Sequence, residues 1–306
     1  MRIFITGAAG FIGTHLWKYL EDKGHEVKGI DNFSHDCKAK NDKVKYADVR
    51  YYHDIENYVK WCDCVMHLAA QIHVDKSISN PQETLDINIT GTLNILEAVR
   101  KYNKQMVFAS SSEVYGTAQD AIMNERHQLD AQSPYAASKV AGDRLCKSYY
   151  DTYGTRVIIL RNFNTFGEYQ NDTSYGGVIA IFTKNALRGE NLNVFGSGNQ
   201  QRDYMYVLDA VRGYEFCMES TELFGRAVNI GTGRTITIKT LANIIIKLTK
   251  SKSEVKHVKA RAGEVERLCS DNKLAESLGF TSKTDFEKDL QKYVNWYKQN
   301  IDYRSR

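Results

Sequence analysis

Proline is nearly absent, with two in 306 residues, and no Pro-, Gly- or Ser-rich stretch divides the chain. A flexible linker is therefore not expected, and neither internal repeats nor low-complexity tracts are visible. No run approaches the roughly 18 apolar residues needed to span a membrane, which removes a membrane from the expected partners. The first residues, MRIFITG, read as an apolar strand without the basic, apolar and cleavage regions of a secretory leader. The expected location is cytoplasmic. An excess of one charge is also missing: 41 Lys and Arg face 37 Asp and Glu, a formal +4. With no dense basic block interleaved with aromatics, nucleic acid is not an expected partner.

Cysteine is sparse. Cys37, Cys62, Cys64, Cys146, Cys217 and Cys269 are scattered, and only Cys62 and Cys64 lie close, in WCDCV. That spacing has no second pair to complete a zinc site, so no metal is expected and reduced thiols account for the pattern.

What the chain does have is alternation. Strand-like runs such as RIFIT, EVKGID, CVMHLAA and QMVFASS alternate with amphipathic stretches such as GFIGTHLWKYLEDKG and TGTLNILEAVRKY. That order predicts parallel strands joined by crossover helices, an α/β fold with a doubly wound parallel sheet. The runs are β-branched and nearly continuous, as strands buried on both faces should be. After about residue 165 the pattern loosens into a polar loop, GEYQNDTSYGG, and shorter elements. The segments DAVRGYEFCM and AVNIG are regular enough to return to the first sheet.

Gly7, Gly10 and Gly13 punctuate GAAGFIG between the first strand and the first helix. Glycines there let the backbone turn tightly and approach a pyrophosphate seated at the helix N-terminus. Phe11 and Ile12 belong to the same loop. Asp31 follows at close to the spacing of about 20 residues expected of an acidic residue on the adenosine ribose. A carboxylate there accepts from ribose hydroxyls and repels a 2′-phosphate, favouring NAD over NADP. Asn32 beside it, Asp48 and Val49 in ADV, and Leu68, Ala69 and Ala70 in HLAA complete the expected cofactor site. Tyr135 and Lys139, in YAASK, are four apart and share a helix face. An ammonium beside a phenol favours phenolate, so the pair suits a tyrosine base.

GAAGFIG, Asp31, HLAA, SSSEVYG and YAASK, in this order and spacing, resemble the extended short-chain dehydrogenase/reductase family of nucleotide-sugar epimerases, dehydratases and decarboxylases. The similarity continues through FNTFG, GSGNQQRDYMYVLDA, AVNIGTG and GEVERLCSDNKLAESLGF, and so covers nearly the whole chain. It implies a Rossmann domain holding NAD over residues 1–165, rejoined by about 207–235, and a smaller, interleaved α/β region over 166–306 holding a nucleoside diphosphate sugar. It also implies a homodimer built on TGTLNILEAVRKY and the helix of Tyr135, with Leu145, Tyr149 and Tyr150 facing outward.

By the same resemblance Tyr135 removes the proton of the sugar C4 hydroxyl as hydride passes to NAD. Lys139 holds the nicotinamide ribose and lowers the Tyr135 pKa, while Ser111 hydrogen-bonds the reacting hydroxyl. Asn164, Val178, Val194, Phe195, Arg202 and Arg267 fall at the substrate, the two arginines gripping the diphosphate.

By the resemblance, dehydratases and UDP-glucuronate decarboxylases carry a glutamate at the position of Glu113, whereas 4-epimerases usually carry a small or hydroxyl residue there. Glu113 suits a general base for the sugar C5 proton. Ser112 stands where many dTDP-glucose dehydratases carry an aspartic acid. The leading expectation is an NDP-sugar 4,6-dehydratase. A 4-epimerase of the UDP-glucose or UDP-N-acetylglucosamine type, a UDP-glucuronate decarboxylase and a non-enzymatic NAD-sensing regulator remain open.

Overall fold

The computed structural model describes residues 1–34, 41–120, 122–173, 176–260 and 265–300; Cys37 lies outside them. Seven strands form the principal sheet: β1 (Arg2–Thr6), β2 (Glu26–Asp31), β3 (Lys45–Tyr46), β4 (Cys64–His67), β5 (Gln105–Ser111), β6 (Arg156–Asn162) and β7 (Ala227–Ile230). Their order is β7-β6-β5-β4-β1-β2-β3 and every pairing is parallel. This is the Rossmann-type arrangement, with helices on both faces. The order of connection reverses between β1 and β4, which opens a crevice beyond their C-terminal ends, where ligands bind in such sheets.

The continuous apolar runs split by the two-residue period of a strand. Ile3, Ile5, Cys64, Met66, Val107, Ile158 and Leu160 face one layer, packing with Leu16, Trp17 and Leu20 of the Phe11–Asp22 helix and with Tyr214 and Cys217. Phe4, Val65, Met106, Phe108, Val157 and Ile159 face the other, against Ile55, Val59, Ile95, Leu96 and Val99. Each fully buried aliphatic or Phe side chain contributes about 1.5–3 kcal/mol, so the sheet is anchored from both sides.

The two prolines prove to be helix starters. Pro81 opens Pro81–Leu85 behind an Asn80 cap, and Pro134 opens Pro134–Tyr153 behind Ser133, whose Oγ accepts from Ala136 N at 3.1 Å. Proline suits the first helical position because its missing N–H has no helical partner there. The second of these helices carries Tyr135 and Lys139, and it ends at Gly154, φ 67°, in the left-handed region that glycine tolerates.

Helices Val178–Leu187, Ile238–Thr249 and Phe286–Gln299 build a further apolar cluster with Phe166, Val194, Tyr204 and Tyr206. Short strands accompany them: Asn164–Phe166 pairs with Tyr204–Tyr206, Leu192–Phe195 with Val255–Val258, and Gln201–Arg202 lies between Ile236–Thr237 and Arg267–Leu268. Between these elements the chain returns to the principal sheet: helix Val207–Glu219 contributes Val211 and Tyr214 to the first layer, and β7 pairs with β6. Among the described residues no helix is long and apolar enough to cross a membrane.

Of the side chains expected to face outward for dimerisation, Tyr149 instead turns inward. It is buried and its hydroxyl donates to Glu97 on the neighbouring helix. Leu145 packs against the second layer, while Tyr150 is 38% exposed.

Candidate active site

The crevice is a cavity of about 820 Å³ that runs from the loop after β1, past the ends of β4 and β5, to the elements around Arg202. At one end lie Gly7, Gly10, Phe11, Ile12 and Gly13. Gly7 has φ +71°, and a Cβ on Gly13 would stand 2.2 Å from the Gly7 carbonyl oxygen, so only glycines close this turn. No side chain caps the helix that begins at Phe11, and its N-terminal backbone borders the cavity, a fitting seat for a pyrophosphate. Asp31, at the tip of β2, accepts from Ala9 N at 3.1 Å and from Phe33 N at 2.8 Å, fixing a carboxylate on the cavity wall. Asn32, Val49, Leu68, Ala69 and Ala70 also line the cavity. These residues fit NAD.

Asp48 does not line the cavity. It stands behind the wall, accepting from Asn32 Nδ2 at 3.0 Å and pairing with Arg50 at 2.7 Å. Alternation along the chain explains the exchange, since Val49 takes the inward position and Asp48 the supporting one. Burial would raise the Asp48 pKa, but hydrogen bonds from Arg50 and Asn32 outweigh it and hold the group at about 2, against 3.8 in the unfolded chain. A depressed carboxylate pKa stabilises the fold above the unfolded value, by about 2 kcal/mol here. That contribution disappears as pH falls through about 2. Asp48→Asn should therefore lower the urea midpoint at pH 7 and flatten its dependence on pH between about 5 and 2.5.

At the centre, β5 ends in Ser111 and the chain turns through Ser112–Tyr115. Ser111 Oγ accepts from Glu113 N at 3.2 Å, and Ser111 favours the ionised form of the Tyr135 phenol. Ser111, Ser112, Glu113, Tyr135 and Lys139 all line the cavity, so the sequence candidates converge. Burial pushes the Tyr135 phenol up to about 12; Ser111 opposes this, and the Glu113 charge adds to it. The expected depression of Tyr135 by Lys139 is not found. Lys139 Nζ donates instead to the Ala109 carbonyl at 2.8 Å, and burial lowers its own pKa to about 8 against the opposing influence of Asp143.

At the far end Asn164, Val178, Phe195 and Arg202 line the cavity, but Val194 and Arg267 do not. Val194 is fully buried in the neighbouring apolar cluster. Arg267 does come beside Arg202 in the fold, on an adjacent parallel strand, but it pairs with Gln201 while Leu268 pairs with Arg202. By alternation Arg267 leaves the sheet on the opposite face. The sequence reading also missed Gln71, Tyr169, Gln200 and Tyr214, all on the cavity wall. Tyr169 adopts φ 65° and its ring meets His15 and Trp296; nothing in the polar loop around it signalled this. Among the described residues no cluster of potential metal ligands occurs.

The description NAD dependent epimerase/dehydratase family belongs to a sequence model that matches residues 3–231. The chain belongs to this family. The "Putative UDP-glucose 4-epimerase" of Methanocaldococcus jannaschii is 38% identical over 97% of this chain and 99% of its own length. Among solved structures, UDP-glucose 4-epimerase of Thermotoga maritima with UDP-glucose matches with a TM-score of 0.93 at 31% identity, covering 98% of this chain and all of that one. The dTDP-glucose 4,6-dehydratase of Streptomyces venezuelae, solved with NAD bound, matches with a TM-score of 0.91 at 29% identity, over 99% of this chain and 98% of that one. The protein is thus an NAD-dependent enzyme of the epimerase/dehydratase family.

Proposed function

We propose that the protein is a nucleoside diphosphate sugar 4,6-dehydratase. The observation that carries this reading is Glu113, a carboxylate on the cavity wall whose charge is felt by the Tyr135 phenol. Bound NAD supplies reversible oxidation of the sugar. Tyr135 takes the C4 hydroxyl proton while Ser111 orients that hydroxyl, and Lys139 holds the adjoining ribose. The resulting C4 ketone acidifies C5. Glu113 removes the C5 proton, and the C6 hydroxyl leaves as water once protonated. Ser112 is too weak an acid for that step, so Glu113 passes the proton it has taken to the departing hydroxyl; the hydride removed from C4 then adds to C6, and C5 takes up a proton from solvent.

Epimerisation needs only rotation of the ketone and gives Glu113 no task. Decarboxylation requires a substrate carboxylate to be received. Among the described residues the cationic or potentially cationic side chains on the wall are Lys139, Arg202 and His73; the first two are assigned to the ribose and the diphosphate. These assignments support a neutral C6 hydroxyl over a hexuronate.

The reading is tested by mass spectrometry of products from a panel of UDP-, dTDP- and GDP-hexoses. Loss of one water is expected. Loss of carbon dioxide would mark a decarboxylase, and conversion at unchanged mass would mark an epimerase. Bound NAD with no conversion of any panel member would favour the sensor reading. A homodimer belongs to the same proposal, with Leu93, Tyr150 and Tyr153 exposed on the two paired helices. Light scattering should give twice the chain mass.

A further inference from the structure

His67, at the end of β4, is buried and uses both ring nitrogens. Nδ1 lies 2.8 Å from Thr6 Oγ1 and Nε2 lies 3.1 Å from Thr92 Oγ1. The neighbours decide the tautomer. Thr92 has one hydroxyl proton and donates it to the Asn88 carbonyl at 2.6 Å, so Thr92 can only accept from the imidazole. Nε2 therefore carries the hydrogen. Nδ1, without one in the neutral ring, accepts from Thr6, whose oxygen in turn accepts from Ala69 N at 3.2 Å. A second ring proton would leave the Thr6 hydroxyl without an acceptor. Burial and the nearby Lys139 charge also disfavour the cation, lowering the pKa to about 3.

The chain of bonds continues. Asn88, in the π-helical turn Asp86–Thr90, accepts from Gln71 N at 2.8 Å and donates to Gln71 O at 2.9 Å and to Ser138 Oγ at 2.8 Å. Ser138 donates to the Tyr135 carbonyl at 2.7 Å. Segment 69–71, which lines the cavity, is thus clamped at Ala69 by Thr6 and at Gln71 by Asn88. Thr6 immediately precedes Gly7, and Ser138 immediately precedes Lys139.

We propose that His67, as the neutral Nε2-protonated tautomer, is a positioning residue that holds the dinucleotide loop in register with the helix bearing Tyr135 and Lys139. Thr92 does not line the cavity, yet it must influence cofactor binding through this chain. This inference rests on NAD dependence and is indifferent to the fate of the C4 ketone.

The test is a double-mutant cycle read by NADH fluorescence titration, with no sugar present. Thr6→Val and Thr92→Val should each weaken NADH binding about tenfold, and the double variant little more than either, since both cut one chain. Thr92→Ser, which keeps the hydroxyl, should bind NADH as the wild type does. Nitrogen NMR of the unsubstituted protein at neutral pH should show His67 protonated at Nε2 and not at Nδ1. Additive losses, unchanged affinity in Thr92→Val, or the Nδ1-protonated tautomer would each overturn the proposal. The tautomer measurement stands even if a valine variant fails to fold.

Discussion

Glu113→Gln should reduce turnover by about 10²–10⁴-fold, the usual contribution of a positioned general base, while C4 oxidation persists. The amide keeps the shape of the side chain and loses its basicity. The Glu113 backbone N–H donates to Ser111 Oγ, so the variant leaves the hydrogen bond that positions Ser111 in place. Loss of the negative charge also removes one influence that raises the Tyr135 pKa, which makes the phenol easier to ionise. Oxidation at C4 should therefore hold steady or improve as elimination stops. The expected single-turnover result is accumulation of reduced cofactor absorbance with nucleotide sugar present and no water lost. Full retained dehydration in Glu113→Gln would remove this residue from the mechanism.

The largest structural effect is expected at Asp143. Its carboxylate meets Arg161 at 2.6 Å, and both side chains are at most 4% exposed. Arg161 also donates to Tyr115 Oη at 2.9 Å and to the Glu125 carbonyl at 3.1 Å, and Tyr115 donates onward to Asn229 at 2.6 Å. Asp143→Ala leaves a buried guanidinium without its counter-charge, and removing one partner of such a pair costs about 3–5 kcal/mol. The expected readout is a matching loss in urea unfolding free energy. Because the Asp143 charge raises the Lys139 pKa, its removal lowers that pKa below about 8, and the protonated fraction of Lys139 at neutral pH falls. Replacing both residues by Leu should destabilise less than Asp143→Ala, since no unpaired charge is then buried. A double variant worse than the single would contradict this account.

Local features were legible because they are written in adjacent residues. Alternating burial, the Gly7–Gly13 turn, Asp31 at a strand tip, and Tyr135 one helical turn from Lys139 each depend on short spacing. Glu113 was also visible as a carboxylate between a serine run and a tyrosine. What escaped depends on facing and on distant partners. Val49 rather than Asp48 faces the cavity, and Arg202 rather than Arg267, because a two-residue period flips neighbours and nothing in either short segment fixes its phase. Arg161 meets Asp143 only when the Pro134–Tyr153 helix packs back on the strand that follows it, and Thr6 meets His67 only after β1 and β4 lie side by side. Lys139 could be placed one turn from Tyr135, but not its preference for the Ala109 carbonyl. The cluster containing Tyr169 and Trp296 was hidden for the same reason.

The central claim is that a carboxylate, Glu113, acts at C5 of a 4-keto sugar. The most direct measurement is NMR of the product formed in deuterium oxide from the accepted nucleoside diphosphate hexose. A 4-keto-6-deoxy sugar carrying solvent deuterium at C5 is predicted; a C4-inverted sugar with its C5 proton retained would contradict it.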